Sequence, residues 1–273
     1  IKEIDPLSIM VHVEATGLSR AIRQDLESLA VEEQRRGYLA YDLLVGSGTH
    51  DHPLFPWLLR GGATIDLLDE IARHKISLDV LGMNFYPQWS TQHLYVDPKG
   101  RLAYRAREED GAGFAAVIND YYQRYRAPVI ITETSAFGSD ELRAGWLKSS
   151  IEAVKYLRGR RVPVIGYTWF PMFTMIDWRY RHGQSPLEHY RLELGLYRLS
   201  DDPAQGRWSA TPLVEQMRNY IANSDDSVGA LDPSALAPAL GTNACKAHSR
   251  ITQPDAPLFA SRQQSPPEFV DGD

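Results

Sequence analysis

The feature that most constrains this chain is the run Pro128-Val129-Ile130-Ile131-Thr132. Three β-branched residues in succession describe a strand buried on both faces, as in a parallel sheet. The strand delivers Glu133 into the small-residue turn Thr134-Ser135-Ala136, and a helical pattern begins at Asp140. A carboxylate left at the C-terminal end of such a strand, ahead of a helix, stands where α/β folds put chemistry. A carboxylate that only caps the loop or the helix start leaves the same trace.

Three further segments read as strands: 9–13, running into Glu14; 80–84; and 164–169, entered from Pro163. Helical patterns lie between and after them at 20–45, 64–74, 113–125, 141–158 and 211–221, with Gly37 as a break in the first and Thr64 as an N-cap of the second. Strands alternating with helices predict parallel βαβ units. The connections read as a turn at 16–19, a loop at 46–62 where Pro53 and Pro56 oppose regular structure, and a hairpin over 95–104. A long aromatic loop at 170–184 and a short extended piece at 194–199 follow. Residues 1–223 are expected to form one folded region. From 224 to 273 the composition shifts to Pro, Ala, Ser, Asp and Gln, which predicts a disordered tail.

Composition narrows the function classes. Net charge is −6 and the basic residues are scattered, so no phosphate-tracking stripe argues for a nucleic-acid partner. No apolar run is long enough to span a bilayer, and no membrane partner is expected. The single cysteine, Cys245, excludes a disulfide framework. His50-Asp51-His52 fits a solvated loop better than the spaced ligands of a closed metal site, so no metal or cofactor is expected. The 6 Trp and 14 Tyr residues suit core packing or stacking on sugar rings, and counts leave both open. The chain starts at Ile1 with no signal-peptide pattern, which points to a cytoplasmic protein.

Four motifs then fall in a telling order: Leu81-Gly82-Met83-Asn84-Phe85-Tyr86, Ile131-Thr132-Glu133-Thr134, Gly166-Tyr167-Thr168-Trp169 with the loop to Asp177-Trp178, and Gly195-Leu196-Tyr197-Arg198. Over roughly residues 1–222 the chain resembles the family 1 glycoside hydrolases, the β-glucosidase type, and their clan of retaining (β/α)8-barrel glycosidases. The resemblance implies an α/β TIM-barrel fold of which this chain holds the last four βα units, as part of a longer protein. It implies Glu133 as the nucleophile that forms a covalent glycosyl-enzyme, and Tyr86 as its hydrogen-bonding support. Asn84, two residues before Tyr86, shares its face of the extended segment. Trp169 would floor the sugar subsite, and Asp177 and Trp178 would hold sugar hydroxyls. The acid/base residue would leave the fourth strand, ahead of Ile1. Glu14 is the substitute within this chain, or otherwise a substrate contact. His12 stands near it but reads as a packed residue.

The implied function is hydrolysis of O-glycosidic bonds in a carbohydrate substrate. The departures lie in the loop to Asp177, one residue longer than the family pattern with Asp in place of Glu, and in Thr134-Ser135 where the family has Asn-Gly. They motivate an alternative, a catalytically silent sugar-binding or scaffold domain. A third option is an endo-acting glycanase of the same clan.

Overall fold

The computed structural model describes residues 1–200 and 207–223. The expected tail at 224–273, with Cys245, lies outside the described residues.

The chain runs through β1 (Val11–Ala15), β2 (Leu18–Ala21), α1 (Glu27–Leu44), α2 (Phe55–Arg60), α3 (Ile65–Arg73), β3 (Val80–Asn84), β4 (Thr91–Val96) and β5 (Leu102–Ala106). It continues with α4 (Gly111–Tyr125), β6 (Val129–Thr134), α5 (Asp140–Gly159), β7 (Val164–Trp169), β8 (Met175–Ile176), β9 (Arg191–Leu192), β10 (Tyr197–Leu199), β11 (Trp208–Ala210) and α6 (Pro212–Ala222). The four long strands form one parallel sheet in the order β1-β3-β6-β7. Three smaller sheets, β2-β4-β5, β8-β9 and β10-β11, complete the described strands.

One face of the main sheet carries the core. Leu81, Met83, Val129, Ile131 and Val164 pack under Tyr38 and Tyr41 of α1, Phe114, Ile118 and Tyr121 of α4, and Trp146, Leu147 and Leu157 of α5. Phe85, Phe114 and Trp146 form a ring cluster with centroids 5.0, 5.4 and 6.0 Å apart. The other face is open: Val11 and Val13 are 44% and 42% exposed. Gly82 sits on this open face, where an added Cβ would lie 2.7 Å from Val13 Cγ2 and 2.9 Å from the His12 carbonyl oxygen. That carbonyl is backbone and has little room to yield. Gly82→Ala is therefore expected to destabilise the fold by about 1–3 kcal/mol through overpacking, read as a lower urea midpoint.

Side-chain caps open three of the described α-helices, among them the expected cap at Thr64. Thr64, Asp110 and Ser139 each accept a backbone N–H in the first turn of α3, α4 and α5.

Four expected connections and boundaries are corrected. The segment read as a turn at 16–19 enters a strand, β2, parallel to β4. Gly17 is there for close approach rather than turning, since a Cβ would sit 1.7 Å from Ser90 O. The helix expected from residue 20 starts at Glu27 and runs through Gly37 without a break, held by buried Tyr38 and Tyr41. The loop expected at 46–62 contains α2, which tolerates Pro56 because the first turn has no use for its missing N–H. The stretch expected as a loop at 170–184 contains β8 and a 3-10 turn, Trp178–Arg181.

His52 has a structural task. Its Nδ1 accepts the Leu54 N–H at 3.1 Å, so the proton sits on Nε2 and is donated to Asp42 Oδ2 at 3.1 Å. Buried Asp42, on α1, also accepts Arg124 Nε and Nη2 at 3.0 and 2.6 Å and Tyr125 Oη at 2.9 Å, both from α4. His50 packs on Phe55, ring centroids 4.4 Å apart.

Candidate active site

The C-terminal ends of the parallel strands stand in a row. Ala15 pairs with Asn84, Asn84 with Glu133, and Thr134 with Trp169. The ladder slips twice at this row, between Met83 and Asn84 against β6, and between Ile131 and Thr134 against β7. Ile131 belongs to the core, and Thr134 Oγ1 accepts the indole N–H of Trp146 on α5 at 3.0 Å. Both therefore face the helices. The two residues between them, Thr132 and Glu133, are left to the open face, as a bulge allows. Thr132 Oγ1 donates to Asn84 Oδ1 at 2.7 Å.

Tyr86 lies two residues past β3. Its Oη donates to Glu133 Oε2 at 2.8 Å. The phenol is held in place from three sides. Phe85 N–H donates to the Glu133 carbonyl at 2.9 Å, Tyr86 N–H donates to Ser90 Oγ at 2.8 Å, and the Trp89 ring packs 5.5 Å from the Tyr86 ring. Burial, then the hydrogen bond to Glu133, push the Tyr86 phenol far above its ordinary ionisation range. It stays a donor at any physiological pH. Among the described residues Glu133 Oε1 accepts no hydrogen bond, so one carboxylate oxygen is fixed and the other is free for a ligand.

With that geometry in view, the solved structures are informative. A β-glucosidase from Thermotoga maritima in complex with noeuromycin aligns with a TM-score of 0.65 at 17% identity, over 81% of this chain and 52% of that one. The family 1 β-glucosidase from the same organism in complex with isofagomine lactam aligns with a TM-score of 0.66 at 18% identity, over the same 81% and 52%. Neither a protein-family model nor a curated protein matches the sequence. The fold is a partial TIM barrel, the architecture it shares with these structures. The chain spans about half the length of the β-glucosidases it resembles.

The remaining expected residues divide around this partial barrel. Trp169 is buried at the end of β7, and its Nε1 donates to Leu194 O at 2.8 Å. Its indole N–H is thus spent inside the protein, and its ring belongs to the core cluster. Asp177 caps the 3-10 turn, accepting Arg179 N–H at 2.8 Å and the Arg179 guanidinium at 2.8 and 3.0 Å. These bonds hold its carboxyl below the usual carboxylate range against a weaker opposing effect of burial. Trp178 is 68% exposed, with the Arg181 guanidinium 4.5 Å above its ring. Among the described residues neither Asp177 nor Trp178 is hydrogen-bonded to Glu133, Tyr86 or Trp169.

Glu14 is corrected. Val13 faces Gly82 on the open side, so His12 and Glu14 point the other way. His12 packs edge-on against Tyr41 of α1 at 4.9 Å and its Nε2 lies 3.3 Å from Glu14 Oε1. Burial, then the nearby Glu14 charge, raise the Tyr41 phenol pKa. Glu14 therefore belongs to the helix side of the sheet, away from Glu133. Sequence reading missed Thr132, which orients Asn84, and Trp89, which packs on Tyr86. A Trp three residues past Tyr86 was a usable signal for the second. Thr132 had none, because strict alternation puts it on the face opposite Glu133.

No described helix is long and apolar enough to cross a membrane.

Proposed function

We propose that this chain carries the nucleophile side of a retaining glycoside hydrolase. The observation that supports it best is the 2.8 Å hydrogen bond from Tyr86 to Glu133 at the C-terminal rim of the parallel sheet. In this reading Glu133 Oε1 attacks the anomeric carbon, and the bond from that carbon to the glycosidic oxygen breaks. The departing oxygen takes a proton from a second carboxylic acid, and water later hydrolyses the glycosyl ester. The second carboxyl must stand about 5–5.5 Å from the first. The orientation of Glu14 argues against it for this role, so the acid/base is assigned to the part of the barrel that these four strands do not supply. In this reading Asn84 contacts the sugar, Trp169 backs the subsite from the core, and Asp177 and Trp178 lie at the rim.

The test is covalent trapping in the full-length protein. An activated 2-deoxy-2-fluoro aryl glycoside should leave one glycosyl group on the peptide containing Glu133, read by mass spectrometry. Turnover of the parent glycoside with no label on Glu133 would overturn the proposal. Glycan binding with neither label nor turnover would support the silent sugar-binding domain instead.

Tyr86→Phe keeps the ring and removes its one hydrogen bond to the carboxylate. A hydrogen bond to a charged group contributes about 1.5–3 kcal/mol, so kcat is expected to fall about 10–100-fold with a smaller change in KM. An unchanged kcat would remove Tyr86 from the mechanism.

A further inference from the structure

We propose a second ligand site, an oxyanion site for a small phosphoryl-bearing molecule, in the groove between α4 and α5. The groove measures about 1070 Å³, and Tyr122, Arg126, Tyr156, Arg160 and Arg161 line the part formed by the C-terminal ends of the two helices. These residues lead into Val129 and Val164, the first residues of β6 and β7. The site is therefore at the strand-entry end of the sheet, opposite the end that carries Glu133.

Two observations single it out. Arg126 and Arg161 are the non-glycine residues of the described chain with positive φ, at 58° and 62°. A helix end that turns through this left-handed region ordinarily places glycine or asparagine there. Here both positions hold arginine and both face one groove. Secondly, the guanidiniums are free of ion pairs. Among the described residues none of Arg126, Arg160 and Arg161 has a carboxylate within ion-pair distance, whereas Arg36, Arg73, Arg101 and Arg198 each hold at least one.

Capping the helix ends does not account for these arginines. Backbone groups already close both ends: Arg126 N–H donates to Tyr122 O at 2.8 Å, and Val162 N–H to Leu157 O at 3.0 Å. The arginine that does serve a carbonyl is Arg158, whose Nε donates to Val164 O at 2.8 Å. Instead, Arg126 lies over the Tyr122 ring at 5.6 Å and Arg160 over the Tyr156 ring at 5.4 Å, with Arg160 Nη1 donating to Tyr156 Oη at 3.2 Å. Stacking on a ring fixes the plane of a guanidinium while leaving most of its N–H donors free. Two such forks, with Arg161 lining the same groove, suit a tetrahedral oxyanion with two or more charges, which accepts paired N–H bonds. Their charge outweighs the roughly half unit of negative charge at each helix C-terminus. Glu152 and Asp110 also line the groove, further along the helices, and Asp110 is occupied as the α4 cap.

Titrating the full-length protein with inorganic pyrophosphate and with phosphate, at constant ionic strength, is the test. Saturable binding by calorimetry and a concentration-dependent rise in Tm are expected. Arg126→Gly/Arg161→Gly removes two charges at positions where glycine relieves backbone strain, so it should fold with a Tm no lower than wild type. It should bind pyrophosphate at least tenfold more weakly, while Glu133→Gln binds it as wild type does. Equal affinity in the double glycine variant, or binding that vanishes when ionic strength is matched, would overturn the site. Preference for a poly-glutamate peptide over pyrophosphate would overturn the ligand class.

Discussion

Glu133→Gln in the full-length protein should lower kcat/KM for an aryl glycoside by about a thousandfold or more, some 4 kcal/mol of transition-state stabilisation. The substitution is close to isosteric, so the Tyr86 hydroxyl keeps an oxygen to bond and the strand end keeps its shape. What is lost is the anionic oxygen that attacks carbon. Because Glu133 is only half-buried and sits outside the core, thermal stability should change little. That combination, a dead enzyme with an unchanged Tm, separates chemistry from folding. A rate within tenfold of wild type would remove Glu133 as nucleophile whatever the fold.

The second large effect concerns stability. Asp42→Ala should cost about 3–5 kcal/mol, because it leaves Arg124 and His52 without their shared buried anion. Burial alone would push the Asp42 pKa up, but hydrogen bonds from His52, Arg124 and Tyr125 outweigh it and hold the value below normal. A depressed folded-state pKa fixes the sign of the pH effect. The contribution is complete above the unfolded carboxyl value of about 3.9 and is lost as pH falls through the lower folded value. Urea midpoints of wild type and Asp42→Ala should thus differ most near neutral pH and converge on acidification below about pH 4. Equal midpoints at neutral pH would show that the network adds nothing. Since Asp42 joins α1, α4 and the stretch around His52, its loss should also loosen residues 46–54 first, visible as faster amide exchange there.

The parallel sheet was legible because its evidence is local. Runs such as Val129-Ile130-Ile131 suit few environments other than a strand covered by helices on one side and a barrel interior on the other. Glu133 and Tyr86 were legible through the motifs around them. The orientation of Glu14 was available in principle, since Val13 and Glu14 must face opposite ways, but which face is which depends on the partner strand. The strand β2 was hidden because Thr16-Gly17-Leu18-Ser19 has turn chemistry, while its glycine answers to Ser90, far along the chain. Helix α2 was hidden by a proline that its first turn accommodates. Arg126 and Arg161 gave no sign of unusual backbone, because left-handed residues other than glycine leave no compositional mark.

The slip in pairing at Thr132 and Glu133 makes this rim sensitive to counting rather than to chemistry. A gene that lost the Thr132 codon would still encode a run of good strand formers, and the sheet would still zip up from Val129. The slip would then vanish: the carboxylate would keep the open face but sit one residue nearer Val129, displaced along the strand from the hydroxyl of Tyr86. Substitutions at this point are negotiable in side-chain size; insertions and deletions are not.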